Sequence, residues 1–351
     1  MLKNKSLPEQ SDIERGMKQQ ADLTGRLRDF KDWVYDKVKG WEKTAGTAKV
    51  VFFFEHHSPR DFQMFKEWVD KNKPDVIVLE EQKDVEFGDM LEGRISIEKL
   101  MEIHKSRFPE YSRPRYELLR EYYQMNKKIN REVKIEQVDP LPKNTLALFL
   151  REIGGEIVST DIRIGNFDSA VKGILQTHKL DAIVLNESDA RRASAIEKKI
   201  REGEWRGTVL IEAGSAHTRV KNLLRKRLRH RDSVEVSSFY TTKNIAEKEF
   251  GGGTVEVYHQ GEELTRRNIY KKDLGGEMLL AARFLVASSM YIFESKQDEA
   301  EVINYRAMKM ANQLSYEECK EIYKKIEDMN QLETFDFVKE YLKKREGKTA
   351  D

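Results

Sequence analysis

Four apolar runs in this chain are followed directly by residues able to do acid–base or metal chemistry. "VVFFF" (50–54) runs into Glu55, His56 and His57. "DVIVLE" (75–80) closes on Glu80, with Glu81 next. "VKIEQV" (133–138) is followed by Asp139. "GTVLIEA" (207–213) carries Glu212 and leads into Gly214, Ser215, Ala216 and His217. Imidazole and carboxylate donors together ligate zinc, manganese, cobalt or iron, and they are equally the groups of general acid–base catalysis. Every apolar run has to end, so one polar residue after one run says little. Several of them delivered to one place would say more, and whether they are depends on the elements that carry them.

The pattern around these runs alternates strand with helix. Strands are expected at 49–54, 75–80, 133–138, 207–213 and 233–239, with a possible edge strand at 254–260. Between them lie helical patterns at 58–72 (Ser58 as N-cap, Pro59 in the first turn), 95–107, 114–130, 189–203 and 215–228. Residues 143–178 look mainly helical, and "DAIVLNESD" (181–189) reads either as a short strand or as the lead into a helix. Buried runs alternating with helices imply βαβ units and a largely parallel sheet. The expected fold class is α/β: a largely parallel central sheet flanked by helices, with a helical C-terminal region. Its divisions are a helical lead-in over 1–47, an α/β core over 48–260 holding the site, and helices over 261–351. In an open parallel sheet all strands deliver their C-terminal ends to one edge, where ligands bind. Glu55, His57, Glu80, Glu81, Asp139, Glu212 and His217 should therefore gather there.

The order of these motifs resembles the EreA/ChaN-like superfamily, which includes TIKI metalloproteases, TraB and GumN proteins, haem-binding ChaN-like proteins and erythromycin esterases. The matching stretches are "FEHH" (54–57), "VLEE" (78–81), "NESDARRASAI" (186–196) and "GSAH" (214–217), and "SRPRYELLREYY" (112–123) is similar to a helix of the ChaN-like branch. The resemblance spans about residues 48–240. It implies His57, Glu80 and His217 as metal-binding and catalytic residues, Glu55 as a further catalytic residue, and Asp189 as the acidic residue of the helix motif, with Arg191 nearby. His56 matches no required position. Phe54 stands where the family usually has glycine, and Ser188 where it usually has arginine.

Composition narrows the classes further. Lys+Arg (63) and Asp+Glu (61) nearly cancel, giving a net charge of +2, which argues against a dedicated nucleic-acid binder. The basic stretch 219–231 reads as a helix with Val220, Leu223, Leu224 and Leu228 on the sheet and its charges in solvent. Gly251–Gly253 lack the Lys-Ser/Thr of a phosphate loop. One cysteine, Cys319, permits no internal disulfide and suits a reducing, cytoplasmic setting. "MLLAARFLVASSMYIF" (278–293) is too short for a bilayer span and carries Arg283, so it reads as a buried helix with Met278, Leu279, Phe284, Met290 and Phe293 as core. His104, His178, His230 and His259 are expected at the surface. The expected function is a metal-dependent hydrolase, with peptidase-like activity as one option, using a divalent ion (Mn, Co or Zn) on a small-molecule or peptide substrate, with no nucleic-acid or membrane partner. The alternative is a non-catalytic ligand-binding or regulatory protein that keeps the pocket for haem or a small molecule.

Overall fold

The computed structural model describes residues 47–55, 58–81, 83–104, 109–138, 166–214, 217–231, 233–241, 244, 247, 276–291 and 298–348. Within them five strands, β1 (Ala48–Glu55), β2 (Val76–Leu79), β3 (Lys134–Gln137), β4 (Gly207–Gly214) and β5 (Val234–Tyr240), form one sheet in the order β3-β2-β4-β1-β5. Every pairing is parallel. The α/β class is as the alternation implied. The lead-in over 1–46, residues 143–165, the edge strand at 254–260 and Phe293 lie outside the described residues.

Side-chain alternation along each strand decides what each face of the sheet buries. Val51, Phe53, Ile77, Leu79 and Leu210 point to one face. There they meet α1 (Pro59–Asn72), α2 (Val85–Leu91), α3 (Ile97–His104) and α4 (Pro109–Lys128), through Phe65, Phe87, Leu100 and Leu119 among others. Val50, Phe52, Phe54, Val78 and Ile211 point to the other face. They meet the C-terminal half of α5 (Phe167–Arg201) and α6 (Thr218–Leu228) through Ala193, Ile196, Val220 and Leu224. Both faces are thus covered, which is why these strands read as continuous apolar runs.

α1 opens as its sequence suggests: Ser58 caps it, Pro59 sits in its first turn, and Asp61 closes a capping box. α5 departs from the sequence reading. It runs unbroken for 35 residues, about 53 Å, and takes in "DAIVLNESD", so no strand forms there. The Ile183–Val184 pair weakens helix propensity only slightly, and each half of the helix has something to bury. Its C-terminal half lies on the sheet, while Phe167, Ala170, Val171 and Ile174 pack into a second core with α7 (Glu277–Ser289), α8 (Asp298–Ala311), α9 (Tyr316–Lys325) and α10 (Gln331–Lys348). Of the expected core of α7, Met290 is fully buried and Phe284 partly so, but Met278 is exposed. His178 is not a surface residue: it is half-buried, with its ring 5.4 Å from that of Phe284. His230 is exposed as expected.

Candidate active site

The carboxyl ends of β1, β2 and β4 are adjacent in the sheet, with Glu55 level with Gly214 and Phe53 level with Glu212. The acidic residues there do not form one cluster. The alternation that sorts the core sorts them too, and they make two networks, one on each face.

On the α5/α6 face, Glu80 meets His217. The Nε2 of His217 is 2.6 Å from Glu80 Oε1, and its Nδ1 is 2.5 Å from Asp189 Oδ1. Asp189 is fully buried in α5, and His217 occupies the N-cap position of α6. The other oxygen of Glu80 accepts from the backbone N–H of Gly214 at the end of β4. The Arg192 guanidinium lies 3.4 Å from Glu80 Oε1 and is almost wholly buried. Burial opposes an imidazolium here, and Arg192 opposes it too, but the Glu80 and Asp189 carboxylates outweigh both and raise the His217 pKa to about 9. At neutral pH His217 is therefore a charged imidazolium bridging two carboxylates.

On the α1–α4 face, Tyr111 of α4 donates to Glu55 and lies 2.8 Å from Glu212 Oε1. Arg115, one turn further along the same helix, reaches Glu212 at 2.6 Å through Nη1 and Glu81 through Nη2. Glu81 also accepts from Tyr116 and from Gln137, both at 2.9 Å. Glu55 and Glu212 are buried side chains from neighbouring strands. Burial, then the Glu212 charge, raises the Glu55 pKa well above its ordinary value, which favours its protonated form. Burial and the two carboxylates likewise raise the Tyr111 hydroxyl. Burial disfavours the charge of Arg115, but Glu212 leads the groups that more than restore it.

Of the residues singled out in the sequence, Glu80 and His217 come together, with Asp189 behind His217. Glu55, Glu81 and Glu212 come together on the opposite face. His57, His56 and Asp139 lie outside the described residues. Arg191 pairs with Glu187 on its own helix, and Arg192 reaches Glu80. Tyr111, Arg115 and Arg192 went unnoticed in the sequence. Tyr111 lies before the helical pattern expected at 114–130, whereas α4 begins at Pro109 and carries Pro114 inside it. The four-residue spacing of Tyr111 and Arg115, which puts both on one helix face, was the available signal.

Among the described residues no group of three or more His, Cys, Asp or Glu side chains is arranged to hold a metal ion. Two donors nevertheless fit one in kind: Glu80 and the Nε2 of His217 face each other, and the buried Asp189 on Nδ1 is the type of carboxylate that orients a metal-bound imidazole.

No known family profile matches the chain, and no solved structure matches it. An uncharacterized protein of Archaeoglobus fulgidus is similar: it is 25% identical, over 71% of this chain and 88% of the relative. Among the described residues no helix is long and apolar enough to cross a membrane.

Proposed function

We propose that the chain is a metal-dependent hydrolase whose site lies at the carboxyl edge of the sheet on the α5/α6 face. The observation that carries this reading is the line Asp189–His217–Glu80, in which a buried carboxylate fixes one ring nitrogen and turns the other toward a second carboxylate at a strand end. Glu80 and His217 would hold a divalent ion of the manganese, cobalt or zinc kind, and His57 is assigned as their third partner from the resemblance of its motif to that of the EreA/ChaN-like proteins. Such an ion, when bound, supplies Lewis acidity and a water of lowered pKa. The chain's own residues do the rest. With an ion bound, the imidazole would be neutral, and Asp189 would hold it in one orientation and tautomer. Arg192 balances negative charge at Glu80. Across the sheet, Glu55 shares the Tyr111 hydroxyl with Glu212, and its raised pKa suits it to general-acid work at the same edge. A small-molecule or peptide substrate, no nucleic-acid partner and a cytoplasmic location complete this reading.

The test is elemental analysis of the purified chain after incubation with manganese, cobalt and zinc, with circular dichroism as the folding control. Wild type is expected to retain one ion. Glu80→Gln and His217→Ala should each lose most of it, and Asp189→Asn should weaken binding by about 10- to 100-fold. Wild type that retains none of the three ions overturns the proposal.

One observation favours the second reading, a ligand-binding protein without chemistry. Both oxygens of Glu80 are already engaged, one by His217 and Arg192 and the other by Gly214. A site closed by its own ion pairs needs no metal. Haem or small-molecule binding by a metal-free chain, without hydrolysis of any ester or peptide, supports this reading instead.

A further inference from the structure

The basic stretch at 219–231 contains one lysine that does not belong to the solvent face. Lys221, in the first turn of α6, extends its ammonium across the end of β5. Its Nζ lies 2.8 Å from the Tyr240 hydroxyl and 3.1 Å from Ser238 Oγ. It also sits over two aromatic rings, 5.0 Å from the centroid of Tyr240 and 5.8 Å from that of Phe54. Those rings are cross-strand partners stacked 4.8 Å apart, at the last rungs of β1 and β5. Among the described residues this ammonium meets hydroxyls and ring faces but no carboxylate, although the chain has nearly as many acids as bases.

A second observation comes from the helix. The N-terminal end of a helix carries partial positive charge, and acidic residues are the stabilising choice there. α6 has none in its first turn; it has Arg219 and Lys221 instead. A local rule broken in this way, with positive charge added to a positive helix end, marks a place built to meet an anion. Lys221 lies one turn after His217, about 6 Å along the helix, so this end of α6 also carries the candidate active site.

The geometry points to Lys221, with the Tyr240 hydroxyl, as a subsite for an anionic group of the substrate, a carboxylate or a phosphate. Among the described residues, two of the three Nζ donors are used by Ser238 and Tyr240, and the third is left for the ligand. Because Tyr240 accepts from Lys221, its own proton is free to be donated to the same anion. The stacked rings hold the ammonium in place, so little side-chain entropy is lost on binding. This inference rests on the reading of the carboxyl edge as a substrate site and adds to it that the substrate is negatively charged.

The test titrates the full chain, passed over a chelating resin, with inorganic phosphate and separately with acetate by isothermal titration calorimetry at low ionic strength. Wild type is expected to bind at least one of them, and the tighter of the two names the preferred anion. Lys221→Gln should weaken that binding by at least ~10-fold, and Lys221→Arg should restore most of it. Tyr240→Phe, which keeps the ring and removes only the hydroxyl, should weaken it by about three- to tenfold and carries the test if Lys221→Gln lowers the folded fraction. Metal retention by Lys221→Gln should equal that of wild type. Wild type that binds neither anion, or Lys221→Gln and Tyr240→Phe that both bind as wild type does, overturns the inference whatever the metal result. A chain that binds no metal but loses phosphate or acetate binding in these variants overturns the proposed hydrolase and leaves the anion subsite standing.

Discussion

Glu80 and Glu81 are neighbours in sequence and belong to different networks. Glu80 bonds to His217 and Gly214 on one face of the sheet; Glu81 bonds to Arg115, Tyr116 and Gln137 on the other. The separation follows from extended backbone just past β2, where successive side chains diverge. The two carboxylates should therefore act on different partners. Glu80→Gln is expected to lower the His217 pKa from about 9 toward its ordinary 6.5, whereas Glu81→Gln leaves it in place. Titration of the histidine ring signals by NMR reads this directly, and equal shifts in both variants would sink the two-network description.

The imidazolium of His217 ties stability to pH. Its pKa in the folded, metal-free chain is raised from 6.5 to about 9, a rise worth roughly 3 kcal/mol. A group whose folded pKa is raised stabilises fully below its unfolded value, and that contribution fades as pH climbs through the folded value. Urea unfolding of metal-free protein should show stability lost between pH 6.5 and about 9, and His217→Asn should remove most of that slope. A wild-type slope that survives in His217→Asn would place its origin elsewhere.

Glu55 tilts stability in the same direction. Burial and the Glu212 charge raise its pKa, so its contribution is present below the ordinary carboxylate range and is lost as pH rises through the raised value. Glu55→Gln mimics the protonated form and should flatten that part of the profile. Tyr111→Phe removes the hydroxyl shared by Glu55 and Glu212. It should cost about 1–3 kcal/mol in urea unfolding, and a neutral result would show that the bridge contributes nothing.

The sequence carried the sheet well because each strand is buried on both faces and so stands out as an unbroken apolar run. The edge where Glu55, Glu80, Glu212 and His217 arrive followed from parallel strands alone. The split of those residues between two faces was in the alternation too, since Glu80 shares the parity of Val78, and Glu212 that of Leu210. What stayed hidden depended on tertiary partners. The Ala182–Leu185 stretch is apolar and short enough to suit a strand, and only the packing of both halves of α5 makes it helix. Asp189 and Arg192 lie three residues apart on one helix face with Ala193 and Ile196, but a sequence does not say which face of a helix turns inward. Arg191 was the neighbour that matched the motif, and Arg192 is the one that is buried.

The opposite end of the sheet supplies a test of backbone fit. Gly207, which opens β4, has φ +69°, and a Cβ there would lie 2.1 Å from Asp75 Oδ2. That oxygen accepts from the backbone N–H of Thr208 at 2.8 Å, while Oδ1 of the same carboxylate bonds Arg131 at 2.9 Å. Gly207→Ala therefore meets a strained φ and displaces Asp75 together. A loss of about 2 kcal/mol or more is expected in urea unfolding. Asp75→Ala in the same background should recover part of it by removing the clash, and no recovery would leave backbone strain as the whole cost.

Cys319 reports on the C-terminal helices. It is fully buried in α9 among residues of α5, α7 and α8. Burial, only partly offset by Arg283, raises its pKa to about 12. Thiolate is the reactive form, so the native chain holds this thiol both covered and protonated. A chromogenic disulfide reagent at pH 8 should react with it only as fast as the second core opens. Because α5 belongs to that core and to the sheet, the opening should track loss of the whole fold, with rates that rise in urea alongside the circular dichroism transition. Deletion of α10, which contributes Val338 and Leu342 to the same core, should speed the reaction well before the sheet unfolds. Rapid modification of the intact native chain would contradict this placement of Cys319.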